Sequence, residues 1–114
     1  MDPISAALIG KSLDGLTQRQ MYLAQNLANA NTPGYRAFSV EFEDALRNAA
    51  PQGLSAIEAV QPSVQTLSQA EGEDMRIDLQ MAEFYQTAMR YRALTDVLSR
   101  QMGLARAVVS GGGR

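Results

Sequence analysis

The chain has no cysteine, no histidine and no tryptophan among its 114 residues. The first two absences remove thiol nucleophiles, Cys/His zinc sites and imidazole general bases together. No disulfide is required, which suits an oxidising or a reducing compartment equally. Aromatics are scarce, with four Tyr and three Phe, so a large globular core is not expected. Charge of one sign is lacking too: the net charge is −2, about −1 in each half. With no basic patch and interleaved aromatics, nothing draws the chain to nucleic acid. No apolar run approaches membrane-spanning length. The N-terminus, with Asp2 and no basic lead into an apolar stretch, is not expected to be a cleavable secretory signal. Glu41, Glu43 and Asp44 cluster without a base partner or a metal motif and are read as a solvated face. No arrangement supports nucleophilic or metal catalysis. The expectation is a protein that is not an enzyme, with no cofactor, no metal and no small-molecule substrate.

What is present is helical periodicity at both ends. Asp2 is a good N-cap and Pro3 suits the first helical position, so a helix is expected from there to Ala30. Ala6, Ile9, Leu13, Leu16, Gln20, Leu23, Leu27 and Ala30 step by alternating threes and fours, the 3.5-residue repeat of a coiled-coil seam. Gln20 interrupts it, and Gly10 and Gly15 each cost the helix about 1 kcal/mol relative to Ala. A second helix is expected from Asp74 to Ser110, on the repeat Ile77, Met81, Phe84, Ala88, Tyr91, Thr95, Leu98, Met102, Ala105, Val109. Leu94, Val97, Leu104 and Val108 form a stripe beside it. Glu71, Glu73, Asp74 and Asp78 near its start, with Arg100 and Arg106 near its end, complement the helix dipole. Gly111 to Gly113 are expected to end it.

The fold class is therefore mainly α: two long terminal helices of coiled-coil type joined by a small irregular middle region. Three zones divide the chain. Residues 1–35 hold the first helix and a loop motif, 36–73 an extended middle, and 74–114 the second helix and a Gly-rich tail. Residues 1–30 and 74–110 together make one axial helical domain. In the middle, Ala37 to Phe42 alternates as a short strand would, with Phe38, Val40 and Phe42 on one side. Ser63 to Leu67 reads as a second strand, so a short β-hairpin is one reading of this zone; Glu43 to Ala50 reads as a helical turn. The seam residues are Leu13, Leu16, Leu23 and Leu27 on the first helix, and Ile77, Met81, Phe84, Tyr91, Leu98, Met102 and Val109 on the second. Periodicity alone leaves two arrangements open, an antiparallel hairpin within one chain and packing between chains. The second helix has two apolar stripes where a two-helix hairpin buries one face of each helix. A small chain with a thin core also often needs partners.

The first helix stops abruptly at Asn26-Leu27-Ala28-Asn29-Ala30-Asn31-Thr32-Pro33-Gly34-Tyr35. Pro33 lacks an N–H and pushes Thr32 out of the α region. Pro-Gly fits the central pair of a type II turn, and Asn side chains bond nearby backbone groups. The residues alone predict a helix, a hard stop and a shaped loop ending in an aromatic ring.

This ten-residue string resembles the signature near the N-terminus of the flagellar axial proteins: the rod, hook and hook–filament junction subunits. Phe38-Ser-Val-Glu-Phe-Glu-Asp-Ala-Leu46 is similar to the segment that follows it in the proximal rod proteins of the FlgB type. Met81-Ala-Glu-Phe-Tyr to Gln101 looks like that family's C-terminal helix. The likeness covers about half the chain; the FlgC type is the nearest rival. The resemblance implies a structural subunit of the proximal rod of the bacterial flagellar basal body, on the periplasmic side of the inner membrane. Such subunits are exported unfolded by the flagellar type III apparatus and assemble helically around the export channel. The implied partners are copies of itself, other rod proteins, the rod-base adaptor FliE, the MS ring and the export gate. Asn26 to Tyr35 would be a subunit-packing corner. Phe42 and Leu46 resemble a Phe-x-x-x-hydrophobic element that docks on the export gate, and simple packing of a helical turn reads equally well. Outside this family, a cytoplasmic helical adaptor or export chaperone would use the same stripes to hold a client.

Overall fold

The computed structural model describes residues 1–67 and 74–112. Asp2 caps α1 (Pro3–Ala28): its Oδ1 accepts the Ser5 N–H at 2.8 Å and its Oδ2 the Ser5 hydroxyl at 2.8 Å. Those bonds, the backbone one foremost, hold the Asp2 carboxyl below its usual range. The helix ends at Ala28, two residues before Ala30. There the Asn29 side chain donates to the Gln25 carbonyl at 2.9 Å, doubling the bond that the Asn29 backbone N–H makes to the same carbonyl at 3.1 Å.

After a turn, β1 (Phe38–Glu41) leads into α2 (Glu43–Ala49), a 3₁₀ turn at Ala50–Gln52, α3 (Leu54–Glu58) and β2 (Ser63–Thr66). β1 and β2 pair antiparallel, Phe38 opposite Thr66 and Glu41 opposite Ser63. The middle region thus carries a two-stranded sheet, but the strands are joined by two short helices rather than a tight turn. It is more regular than an extended loop. The reason is burial: Leu46, Ala49 and Ile57 pack with Leu16, Val40 and Phe42 into the core. α2 falls on the helical turn expected at Glu43 to Ala50, whereas α3, five residues long, is too short to print a period, so Ile57, wholly buried, gave no signal.

α4 (Ile77–Gly112) closes the molecule. It begins at Ile77, three residues after the expected Asp74, and it runs past Ser110 through Gly112. Neither Gly111 nor any non-Gly residue near it adopts positive φ, so no left-handed cap interrupts the helix there. The expected charge pattern survives only at the start, with Asp78 in the first turn and no basic residue in the last. Glu71, Gly72, Glu73 and Gly113 lie outside the described residues.

α1 and α4 run antiparallel. Asn26 meets Gln80 and Gln20 meets Phe84 at one end, while Leu8 and Ile9 lie beside Val97 and Gln101 at the other. At about 1.5 Å per residue α4 is roughly 15 Å longer than α1. The segment beyond Gln101 therefore projects past the start of α1, and the molecule is a slab of 68 × 27 × 14 Å.

Candidate functional site

The loop motif is built around one side chain. Asn26, 0% exposed, uses all of its hydrogen-bonding capacity. Its Oδ1 accepts the Phe38 N–H and the Tyr35 hydroxyl, each at 2.9 Å. Its Nδ2 donates to the Phe38 carbonyl at 2.8 Å and to Gln80 Oε1 at 3.0 Å. The carboxamide bonds both main-chain groups of Phe38 as a neighbouring strand would, and the remaining donor reaches α4. One residue of α1 thereby fixes β1, the turn and the start of α4.

The turn is of the expected type II. The Tyr35 N–H donates to the Thr32 carbonyl at 3.2 Å, with Gly34 at φ +78°, a region that favours glycine. The Thr32 hydroxyl bonds Asn29 Oδ1 at 3.1 Å. Leu27, Asn29, Ala30 and Tyr35 are half-buried, and Ala28, Asn31, Thr32, Pro33 and Gly34 are exposed. Phe38 sits between Tyr22, ring centroids 5.3 Å apart, and Tyr35, at 6.1 Å edge-on. Burial pushes the Tyr35 phenol above its usual value.

Phe42 and Leu46 are both core residues. The Phe42 ring lies so close to α1 that a Cβ on Gly15 would stand 2.5 Å from it. Gly15 thus has a packing reason that the helical pattern did not show. The Arg19 guanidinium also lies over the Phe42 ring, 4.8 Å from the centroid. Arg19 also donates to the Val40 carbonyl and grips Glu43 through two bonds of 2.6 Å. Glu43 is therefore not part of a solvated face. The Arg19 hydrogen bonds hold its carboxyl below the usual range, and Arg90 approaches it at 3.6 Å. Arg19, Gln80 and Ile57 escaped sequence reasoning. A helical Arg or Gln looks alike whether its head reaches solvent or a strand edge.

The seam positions divide. Leu16 and Leu23 are buried; Leu13, Leu27, Met81, Phe84 and Leu98 are half-buried; Ile77, Tyr91, Met102 and Val109 are exposed. Within the chain α4 turns Gln80, Phe84, Thr87, Leu94 and Leu98 inward, a line that includes the polar Gln80 and Thr87. Beyond Gln101, Leu104, Val108 and Val109 are 60%, 66% and 75% exposed. A cleft of about 260 Å³ between α1, β1 and α4 is lined by Arg19, Glu43, Glu83 and Arg90 among others, with no nucleophile–base pair. Among the described residues no group of His, Cys, Asp and Glu could hold a metal ion, and no helix is long and apolar enough to cross a membrane.

No family model matches the chain. Individual curated proteins do. It is 26% identical to the flagellar basal body rod protein FlgB of Salmonella typhimurium, over 98% of this chain and 99% of that one. The chain thus resembles a flagellar rod protein across nearly its whole length. The Bacillus subtilis FlgB is 26% identical over 82% of this chain and 84% of its own. The Escherichia coli FlgB is 39% identical over 62 residues, which span 53% of this chain and 45% of that protein. This chain carries a mainly helical fold, with paired terminal helices and a small two-stranded sheet between them.

Proposed function

We propose that the chain is a structural, non-catalytic subunit of the proximal rod of the bacterial flagellar basal body, on the periplasmic side of the inner membrane. It assembles helically around the export channel and transmits torque. The likeness to FlgB rod proteins supplies the setting. One observation of geometry carries the reading: α4 outruns α1, and the part that outruns it is apolar and exposed. Covering Leu104, Val108 and Val109 would contribute roughly 1.5–3 kcal/mol each, comparable in sum to the stability of a small domain. Copies of the chain and other rod subunits are the partners that cover them. FliE, the MS ring and the export gate are its neighbours at the rod base. Asn26 to Tyr35 fixes the angle at which the chain leaves α1, and the exposed Asn31–Gly34 tip faces a neighbouring subunit.

Phe42 and Leu46 serve twice in this reading. In the folded chain they are core; in the unfolded chain in transit they are accessible to the export gate. Phe42→Ala and Ile57→Ala empty the same core, but only the first touches the Phe-x-x-x-Leu pair. Secretion should fall for Phe42→Ala and hold for Ile57→Ala. An equal response would return Phe42 to packing alone. The test of the whole reading is mass spectrometry of purified hook–basal bodies. The chain should be present in amounts similar to other proximal rod proteins. Its absence there, with the protein found in the cytoplasm, would support an adaptor or export chaperone instead.

A further inference from the structure

The two outer edges of the small sheet are treated differently. Leu67 N–H donates to the Ala37 carbonyl at 2.8 Å, extending the ladder by one pair. With the register of the strands, this makes 37/67, 39/65 and 41/63 the hydrogen-bonded pairs, and 38/66 and 40/64 the others. Phe38 and Val40 therefore turn their main-chain groups away from β2. Those groups meet Asn26, which takes both from Phe38, and Arg19, which takes the Val40 carbonyl. On the opposite edge Val64 and Thr66 turn outward in the same way. Among the described residues nothing bonds their two N–H and two C=O groups. All four residues of β2 are exposed, and Val64 extends the apolar row of the buried Val40 to the rim of the sheet.

We propose that the outer edge of β2 pairs with β2 of a second copy of this chain, antiparallel about a two-fold axis through Gln65. The outward residues are two apart, so a reversed copy sets Val64 opposite Thr66 of its partner and Thr66 opposite Val64. All four orphan groups are then bonded. Val64 and Thr66 are β-branched and make a favourable cross-strand pair. From Ala59 to Ala70 the sequence has no charged residue, so the copies do not repel. None of the Lys or inward charges that usually guard an edge is there. Pro62, which has no N–H to offer at the next outward position, ends the ladder on that side. Strands this short cannot bury the roughly 1,200–2,000 Å² of a standard interface. The pair is a weak, rapidly exchanging form of the unassembled chain. A two-fold contact closes on itself and cannot lengthen a polar array, so it goes beyond the rod reading and does not depend on it.

The absence of cysteine makes the test direct. On the axis, Gln65 faces its own copy in a non-hydrogen-bonded pair, with Cα atoms about 4.5 Å apart, inside disulfide range. Ser63 is offset from its own copy by four residues, roughly 13 Å. The purified full chain carrying Gln65→Cys should form disulfide dimers under mild oxidation at least about tenfold faster than Ser63→Cys, given that geometric requirement. Val64→Pro removes an outward N–H without touching the bonds to β1, and should bring the Gln65→Cys rate down to that of Ser63→Cys. If Val64→Pro does not fold, Thr66→Pro removes the other N–H of the same ladder. Equal rates at positions 63 and 65, or a Gln65→Cys rate indifferent to a folded proline variant, would overturn the pairing.

Discussion

The corner around Asn26 and the far end of α4 are opposite solutions to the same problem, how a small chain holds a long helix in place. At the corner, polar groups do the holding. Asn26 satisfies both main-chain groups of Phe38, the Tyr35 hydroxyl and Gln80, and Arg19 holds Val40 and Glu43 beside it. Beyond Gln101 the helix leaves the aliphatic side chains of Leu104, Val108 and Val109 largely exposed. A directional, saturated hydrogen-bond cluster is complete in one copy. An apolar stripe is complete only when another surface removes it from water. The first region belongs to folding; in the function proposed above, the second belongs to assembly.

Four tests, using five substitutions, probe that contrast, ordered by their effect on the isolated chain. Asn26→Leu should be the most damaging. It leaves the Phe38 N–H and C=O, Gln80 and Tyr35 without their partner, at about 1–3 kcal/mol for each group that stays buried. Urea denaturation should show a loss of several kcal/mol or no folded baseline at all. A loss below about 1 kcal/mol would mean that water replaces the carboxamide and that the corner is not self-sufficient.

Gly15→Ala comes next, set against Gly10→Ala. Both gain about 1 kcal/mol of helix propensity. At Gly10 a methyl group meets nothing within 4 Å, so the gain should appear as a higher Tm. At Gly15 it strikes the Phe42 ring, and overpacking costs about 1–3 kcal/mol, which outweighs the gain. Thermal melts of the two variants should therefore move in opposite directions.

Glu43→Gln tests the ionic part of the corner through pH. Hydrogen bonds from Arg19 lower the folded-state pKa of Glu43 below its ordinary value of 4.5. The unfolded chain therefore takes up the proton first as pH falls. The stabilisation is fully present above the ordinary value and is lost as pH drops through the lower folded one. Stability measured from pH 6 downward should fall more steeply for the parent than for Glu43→Gln. Parallel curves would assign the acid sensitivity to other carboxylates.

Val108→Asp should do least to the isolated chain, within about 0.5 kcal/mol, because an exposed position already faces water. In cells it should abolish motility and rod assembly, since the same charge would sit in a covered seam. A motile Val108→Asp strain would show that this end of α4 is not an assembly surface. A strongly destabilised monomer would show that it is not unpartnered.

Much of this was legible beforehand. The N-cap at Asp2, the long helices, the helix stop and the type II turn at Thr32–Tyr35 follow from local rules, because caps, proline and glycine act within a few residues. The first strand was visible from the alternation of Ala37 to Phe42, and the second was one reading of Ser63 to Leu67. The candidate site was legible as a string, Asn26 to Tyr35, but not as a device. Nothing local distinguishes the buried Asn26 from the exposed Asn31, since the difference lies in Phe38 and Gln80, the latter 54 residues away. Gln20 looked like a flaw in the seam, yet its Nε2 donates to the Phe84 carbonyl across the helix pair. The inward line of α4 likewise includes Gln80 and Thr87, which a hydrophobic count passes over.

The sequence by itself determined that a helix starts at Asp2–Pro3, that long apolar-striped helices lie at both ends, and where the chain turns between Thr32 and Tyr35. These depend on backbone geometry and on the spacing of side chains along one element. The tertiary structure alone decided which polar side chains are structural, why Gly15 must be small, which part of α4 is inward and which edge of the sheet is open. Those are properties of pairs of distant residues, and a pair exists only once the helices have crossed and the strands have met.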